Sequence, residues 1–242
     1  MTLYDRVVDG RTGPTRLRVA ATQRVDGDVH PIRVDPSTLA ERQVAATGAT
    51  WSMLDQTHGT EVVDLDPIDE AGNNGCRAVS GVGDVAHTDR IDRQVAMWSA
   101  DCATVVLLSA TGRLVTTHAG WRGLSDGVID VAVEAAGRDP ILAAVLGPLV
   151  HPCCYEFADD DRRAVERGVG AEPGALAATT SDGRPALDVP AAVAMGLRRR
   201  GVELDVVGRC TGCDDSWFSH RVRRDHGRHA TVAWTSETTG TG

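Results

Sequence analysis

Two histidines and one cysteine stand where a chain commonly holds functional side chains. His58 lies in the polar segment 55–61, just before an apolar run, and Cys102 directly follows another apolar run. His118 stands where a third apolar run gives way to a glycine-containing turn. Strand ends and turns hold functional side chains on a rigid frame. One thiolate and two imidazoles suit Zn²⁺ or copper, and three protein ligands leave one position open for water, as in catalytic metal sites.

The spacing of these three residues does not by itself select a metal site, because the gaps match no short ligand motif. A buried cysteine beside two hydrogen-bonded histidines is the ordinary alternative. A nucleophile and base pair of Cys102 and His118, as in a cysteine hydrolase, is a second functional interpretation. Asp101 is a candidate for orienting a ligand or transferring a proton, unless it only caps the following turn. Glu61 is a weaker candidate of the same kind.

Four further cysteines form two close groups in the sequence. Cys210 and Cys213 are a Cys-x-x-Cys pair, which is typical of a redox pair or of half a structural zinc site. Cys153 and Cys154 are candidates for the other half of such a site. The alternative, which we favour from the sequence, is that all four are small buried residues at turns.

Basic residues occur in two places that suit an anion. The turn at 118–123 contains two glycines, which allow close backbone approach, and a helix that starts there can hold an anion at its N-terminus. Arg122 favours an anion site at this turn over a plain turn. A second basic group near the C-terminus fits a solvated surface and a phosphate pocket equally well, since arginine suits bidentate phosphate contacts. This group comprises His220, Arg221, Arg223, Arg224, His226, Arg228 and His229.

The elements that must position these residues follow from the period of the apolar residues. Short apolar or alternating runs predict strands at 15–22, 62–65, 95–98, 104–108, 114–117, 141–146, 203–207 and 230–234. Helical spacing and caps predict helices at 35–47, 124–137, 159–168 and 190–200. Because the two kinds of element mix without strict alternation, we expect one α/β (α+β) domain over residues 1–242, with a mixed sheet packed between helices. The polar residues 236–242 are expected to form a disordered tail.

Composition and charge exclude several classes of protein. The chain has 242 residues, of which 42% are hydrophobic and 24% charged, and this is globular rather than disordered composition. A formal net charge of -9 argues against a general nucleic-acid binder, which needs a basic surface. We find no apolar run of about 18 residues and no signal-peptide pattern, so we predict a cytoplasmic protein without a membrane span. Its cysteines are then free thiols, metal ligands or nucleophiles.

Five blocks of the sequence together resemble the laccase-domain family, also called polyphenol oxidase, peptidoglycan editing factor or YfiH-type purine nucleoside phosphorylase. The first three are Gln-Thr-His-Gly-Thr-Glu-Val at 56–62, Ala-Asp-Cys at 100–102 and His-Ala-Gly-Trp-Arg-Gly at 118–123. The fourth runs from Gly-Pro at 147–148 to Pro-Cys-Cys-Tyr-Glu at 152–156, and the fifth from Cys-Thr at 210–211 to Gly-Arg-His-Ala at 227–230. As a set, these blocks are highly specific.

The resemblance implies a site and an activity. It implies Zn²⁺ held by His58, Cys102 and His118, in a single α/β domain with a mixed sheet between helices. The implied activities are phosphorolysis of adenosine, inosine, guanosine and methylthioadenosine, and deamination of adenosine. The implied partners are a purine nucleoside and phosphate, with no nucleic acid and no membrane.

Roles for the neighbouring residues follow from that chemistry. Cys102 and His118, with Asp101 and Arg122, are then expected to be catalytic. Phosphorolysis requires positive groups beside the phosphate, and the sequence offers Arg221 and Arg228 in addition to Arg122.

Two alternative enzymes, one alternative without catalysis and three departures from the family pattern remain. A copper-dependent polyphenol oxidase is ranked low, because multicopper oxidases need many paired histidines and this chain has eight His and no His-x-His. A cysteine hydrolase that edits peptidoglycan precursors is the other alternative, and a binding role without catalysis belongs to another class. His151, Asp26 and His220 replace the residues usual in the family, which bears on substrate preference more than on the metal.

Overall fold

A computed structural model describes residues 2–11, 13–67 and 79–238 of the chain. The strands are β1 (Thr2–Gly10), β2 (Gly13–Ala21), β3 (Ser52–Met53), β4 (Val62–Asp64), β5 (Val85–Thr88), β6 (Val95–Ser99), β7 (Ala103–Ser109), β8 (Leu114–Ala119), β9 (Ile141–Leu146), β10 (Ala177–Thr179), β11 (Pro185–Leu187), β12 (Asp205–Val206) and β13 (His229–Glu237). The helices are α1 (Pro36–Thr47), α2 (Trp121–Ser125), α3 (Val128–Ala135), α4 (Asp159–Val169), α5 (Val189–Arg199) and α6 (His220–Arg223).

The main strands form two mixed sheets, where the sequence led us to expect one. The five-stranded sheet has the order β1-β2-β13-β6-β3, and the six-stranded sheet has the order β12-β9-β7-β8-β5-β4. Each sheet contains antiparallel neighbours and one or more parallel pairs. The apolar pattern reports which faces are buried but not which strands share a sheet, and this explains the difference.

An apolar layer joins the two sheets face to face. Leu17 and Val19 of β2 and Met97 of β6 pack there against Val106 of β7 and Val145 of β9, and all five are buried. Side chains alternate along a strand, so the next residues of β7 point to the opposite face. β7 is therefore buried on both faces, which accounts for its continuous apolar sequence.

Helices cover the outer faces of both sheets. Val105 and Leu107 of β7 pack against Ile129 of α3 and Val193 of α5. On the other side of the molecule, Leu39 of α1 belongs to a cluster on the five-stranded sheet, together with Met53, Ala96 and Val232. The predicted α/β class, with mixed sheet structure between helices in a single domain, is confirmed.

The strands β1, β3, β5, β10 and β11 and the helix α6 were not predicted, and two of the predicted segments differ from the structure. The helix predicted over 124–137 is two helices, because Gly127 adopts the left-handed conformation (φ 85°) between α2 and α3. β13 continues to Glu237 and so extends into the segment predicted as a tail from residue 236. Residues 239–242 of that segment lie outside the described residues. Within the described ranges, no helix combines the length and the apolar character that crossing a membrane requires.

Candidate metal centre

Strand pairing brings the three predicted ligands to one end of the six-stranded sheet. In the β7–β8 hairpin Thr104 pairs with His118, so Cys102 lies beside His118 at the open end of the hairpin. β5 pairs with β8 and with β4, and His58 lies in the segment that leads into β4. The ligand atoms of His58, Cys102 and His118 all lie within 4.8 Å of one another. The structure therefore forms a group that can hold a metal ion.

A buried carboxylate, which sequence reasoning missed, holds two of these ligands in place. Asp84 is 0% exposed and immediately precedes β5. Its Oδ1 accepts the backbone N–H of His58 at 3.0 Å and lies 2.8 Å from Nδ1 of His118. Its Oδ2 accepts the backbone N–H groups of Thr57 at 3.1 Å and Gly59 at 2.8 Å, and the Thr57 hydroxyl at 2.9 Å. Burial by itself raises the pKa of Asp84, but these donors, His118 foremost, hold it at about 2.

Asp84 also fixes the orientation of the His118 ring. An ionised carboxylate can only accept, so Nδ1 of His118 carries a proton and donates it. Nε2 is then the ring nitrogen available for a metal ion. A carboxylate behind a ligating imidazole increases its basicity and fixes its tautomer, as in many zinc enzymes.

The side chains of Cys102 and His118 form an ion pair, with a thiolate on Cys102 and an imidazolium on His118. Burial raises the pKa of Cys102, but the charge of His118 and hydrogen bonds from both imidazoles lower it to about 6. Burial lowers the pKa of His118, whereas the Cys102 thiolate and Asp84 raise it to about 9. Thiolate and imidazolium therefore coexist near neutral pH. A thiolate is the form of cysteine that binds metals and attacks electrophiles.

His58 adopts an unusual backbone conformation. Its φ is 64°, in the left-handed region that few residues other than glycine occupy. The hydrogen bond from its backbone N–H to Asp84 helps to hold this conformation. The His58 ring meets the His118 ring edge to face, with centroids 4.8 Å apart. Backbone strain of this kind is concentrated at functional sites.

Gly120 lies against all three ligands. A Cβ atom at this position would lie 2.8 Å from Cδ2 of His58. It would also lie 3.5 Å from both Sγ of Cys102 and Cε1 of His118. The first distance is shorter than any normal contact, so only glycine leaves His58 in place.

We expect Gly120→Ala to lower metal affinity by at least about tenfold, because the methyl group displaces His58. Competition with a chromophoric chelator measures this affinity. Gly112→Ala is the control, since an added Cβ there meets open space at the other end of the β7–β8 hairpin. Its positive φ makes that substitution costly in stability but not in metal binding. Equal loss of metal in both variants would contradict the expected contact.

Asp101 connects the centre to the C-terminal segment. Its φ of 104° is again unusual, and it is only 7% exposed. Its Oδ1 accepts the hydroxyl of Thr211 at 2.7 Å, and its Oδ2 accepts the backbone N–H of Arg221 at 2.6 Å. Both carboxylate oxygens are thus engaged in fastening other segments beside Cys102. These contacts support the orienting role predicted for Asp101, and its role in proton transfer stays a prediction.

The three predicted phosphate-binding arginines differ in their surroundings. The guanidinium of Arg122 lies 4.5 Å from the Trp121 ring centroid, and that of Arg221 lies 4.7 Å from the Tyr155 ring centroid. Both side chains are exposed. Nη1 of Arg228 instead donates to three backbone carbonyls of its own loop, at 225–227. Arg122 and Arg221 are therefore better placed than Arg228 to meet an anion.

Three aromatic side chains lie beside these arginines, and two of them belong to the sequence blocks at 118–123 and 152–156. Trp121 meets Phe157 edge to face with centroids 5.5 Å apart, and Phe157 lies 5.2 Å from Tyr155. Burial and the charge of Cys102 raise the pKa of Tyr155 to about 12. Phe157 and Arg221 line a surface groove of about 440 Å³. Aromatic residues in a sequence carry no signal of their own for a binding surface, and only the folded chain brings these three together.

The chain is an α/β protein with two packed β-sheets and a Cys–His₂ group at one end of the larger sheet. Comparison with known families shows which family of such proteins it belongs to. The model of the family described as multi-copper polyphenol oxidoreductase laccase matches residues 23–236. The chain therefore belongs to this family, and the resemblance seen in the five sequence blocks is confirmed.

Several relatives carry one name. A protein of Xylella fastidiosa named purine nucleoside phosphorylase is 34% identical over 226 residues, which cover 90% of this chain and 85% of the relative. A protein of the same name from Mycobacterium tuberculosis is 32% identical over 256 residues, which cover 94% of this chain and 96% of the relative. Another from Streptomyces coelicolor is 35% identical over 202 residues, which cover 81% of this chain and 79% of the relative. The shared name of these relatives supports the prediction that the chain is an enzyme.

Solved structures share the fold. YlmD from Geobacillus stearothermophilus superposes with a TM-score of 0.75 at 23% identity and covers 92% of each chain. YfiH from Bacillus licheniformis gives a TM-score of 0.73 at 21% identity, covering 90% of this chain and 92% of the other. At these identities the likeness supports the architecture alone.

Proposed function

We propose that this protein is a zinc-dependent purine nucleoside phosphorylase that also deaminates adenosine. The proposed substrates are adenosine, inosine, guanosine and methylthioadenosine, together with phosphate. The observation that carries the proposal is the group formed by His58, Cys102 and His118 in a chain whose relatives are named purine nucleoside phosphorylase. The predicted cytoplasmic location belongs to the same proposal, because purine nucleosides and free thiols both occur there.

The donor set fits a zinc ion. A thiolate and two imidazoles within 4.8 Å form a three-ligand set of the kind used by catalytic zinc sites, and the carboxylate behind His118 completes the arrangement. Zinc supplies a Lewis acid when it is bound. The same donors also occur in copper sites, but the other metal-capable group in the described part of the chain consists of four cysteines and adds no histidine. We therefore rank zinc above copper.

Phosphate is assigned to Arg122 and Arg221. In phosphorolysis a phosphate oxygen forms a bond to C1′ of the ribose while the bond from C1′ to the purine nitrogen breaks. Guanidinium groups hold phosphate in a fixed orientation and stabilise its charge. Among the described residues, no carboxylate forms an ion pair with either side chain. Both are linked to the centre, since Arg122 follows Gly120 by two residues and Arg221 is hydrogen-bonded to Asp101.

The purine base is assigned to the half-buried ring of Trp121. Tyr155 and Phe157 are each only 8% exposed, so they support this ring from the core and do not offer stacking faces of their own. The π-face of a purine stacks on aromatic side chains without a requirement for particular ring substituents. A site that recognises the base mainly by stacking accepts adenine, guanine and hypoxanthine alike. This matches the broad range of nucleosides in the proposal.

A cysteine hydrolase is the second candidate function, and the ion pair of Cys102 and His118 favours it. A nucleophilic thiolate next to an imidazolium is the arrangement of such enzymes. The substrate class would be an acyl group of a peptidoglycan precursor. A covalent acyl adduct on Cys102, detected by intact mass, would establish this function instead.

Product analysis tests the proposed function. Purified protein is incubated with adenosine, with and without phosphate, and the products are identified by mass spectrometry beside a Cys102→Ala control. We expect adenine and ribose 1-phosphate only when phosphate is present. Inosine is expected without phosphate, and inosine together with its cleavage product hypoxanthine when phosphate is present. Absence of all these products, or equal amounts with the Cys102→Ala variant, would overturn the proposal.

A further inference from the structure

Four of the five cysteines outside the candidate centre come together in space, although 56 positions separate Cys154 from Cys210 in the sequence. Cys153 and Cys154 lie in a short 3₁₀ turn after β9, and Cys210 and Cys213 lie in the loop after β12. The four sulfur atoms all lie within 4.8 Å of one another. The interpretation favoured from the sequence, four small buried residues at turns, does not account for this arrangement, and of the four only Cys210 is buried.

The distances between the sulfur atoms match one kind of site. Cys153 Sγ lies 3.8 Å from that of Cys154, 3.7 Å from that of Cys210 and 3.5 Å from that of Cys213. The sulfur atoms of Cys154 and Cys213 are 3.4 Å apart. Zinc–sulfur bonds of about 2.3 Å in a tetrahedron place the sulfur atoms about 3.8 Å apart. The cluster therefore has nearly the dimensions of a tetrahedral four-thiolate cage.

The backbone around the cluster is arranged to support it. The N–H of His151 points at Sγ of Cys210 at 3.3 Å, and such donors stabilise a thiolate. Gly212 lies so close to Cys154 that an added Cβ would approach its Sγ to 2.8 Å. The glycine of the Cys-Thr-Gly-Cys loop is thus needed to let the two cysteine-bearing segments meet.

We propose that Cys153, Cys154, Cys210 and Cys213 bind a structural zinc ion. Four protein ligands saturate tetrahedral zinc and leave no position for a substrate, so the site is structural rather than catalytic. It fastens the turn at 152–154 to the loop at 210–213. Thr211 of that loop is hydrogen-bonded to Asp101, beside the candidate catalytic centre. The zinc ion therefore stabilises one wall of that centre, and the inference does not depend on which reaction the centre performs.

Metal analysis of the purified full-length protein tests this proposal without any substitution. We expect two zinc ions per chain, one for each metal-capable group. X-ray absorption at the zinc edge is expected to show four sulfur ligands around half of the zinc. A single zinc ion per chain with one sulfur ligand would overturn the proposal. So would a mass that shows a disulfide between any of these four cysteines.

Two substitutions distinguish metal binding by the four cysteines from metal binding by the candidate catalytic centre. Titration of metal-free protein with Co²⁺ is expected to give the intense visible bands of a cobalt tetrathiolate in the wild-type protein. Cys102→Ser, which affects only the other centre, is expected to keep these bands, and Cys213→Ser is expected to lose them. Loss of the bands in Cys102→Ser but not in Cys213→Ser would overturn the assignment. A failure of nucleoside cleavage leaves both metal measurements unaffected, so the two proposals fail separately.

Discussion

Cys102→Ala is expected to abolish metal binding at the candidate centre and to lower the rate of adenosine phosphorolysis by more than about 100-fold. Loss of a mere hydrogen-bond partner of a metal ligand costs about 10- to 100-fold, and loss of the ligand itself exceeds that range. Cys102, together with Asp84, also raises the pKa of His118, so loss of the thiolate changes the charge of the whole centre. Steady-state kinetics and zinc analysis on the same preparation measure both effects.

Cys102→Ser serves as the companion variant, because it keeps the size of the side chain but not the thiolate. Both variants are expected to fold, since Cys102 lies in the turn between β6 and β7 and not among the apolar residues of the layers between sheets and helices. Circular dichroism and thermal unfolding verify this. Wild-type activity in either variant would show that the centre does not perform the reaction.

Asp84→Asn is expected to have the largest effect on stability. Asparagine has an N–H₂ group in place of one carboxylate oxygen. That group then faces N–H donors such as those of Thr57 and Gly59, so repulsive contacts between two donors replace hydrogen bonds. Breaking a buried, charge-assisted network of this kind costs about 3–5 kcal/mol. Metal affinity is expected to fall about 10- to 100-fold, because His58 and His118 lose the group that holds them. Denaturant unfolding and metal competition measure the two effects.

The effect of Asp84 depends on pH in a defined direction. Its pKa is about 2 in the folded protein and 3.8 in the reference state, so the folded form binds the proton more weakly. Its contribution to stability is then fully present above about pH 3.8 and is lost as the pH falls through 2. Stability of the Asp84→Asn variant is expected to depend less on pH over this interval.

Glu166→Gln is a matched control for Asp84→Asn. Glu166 is also a buried carboxylate that accepts backbone N–H groups, those of Gly174 at 3.0 Å and Leu176 at 3.2 Å. We expect this variant to be less stable but to bind metal with wild-type affinity. If Asp84→Asn retained wild-type metal affinity, or if Glu166→Gln lost it equally, Asp84 would not position the ligands.

The three candidate ligands could be predicted from the sequence, but the carboxylate that positions them could not. His58, Cys102 and His118 were selected from their places at strand ends and from the sequence blocks around them, and the pairing of β7 with β8 and of β5 with β8 brings them together. Asp84 was missed because it lies in the short segment before β5, a strand that the apolar pattern did not reveal. A carboxylate in such a segment looks like an ordinary turn residue until the strands pair.

The cysteine cluster shows the same limit. The two halves of a zinc site were recognised as possibilities, but sequence spacing cannot show that the turn after β9 and the loop after β12 meet. They meet because Leu149 and Cys210 form a parallel bridge that continues the pairing of β12 with β9. The two-sheet arrangement was likewise outside the reach of the pattern, since it depends on partners far apart in the chain.

The measurement that tests the central claim most directly is the adenosine assay run on metal-free protein before and after adding back a metal. Phosphate-dependent release of adenine is expected to be absent from the metal-free protein, to return with zinc, and to stay absent with copper. Full activity without metal would contradict the claim. So would oxidation of a phenol that returns with copper while zinc restores no cleavage of the nucleoside.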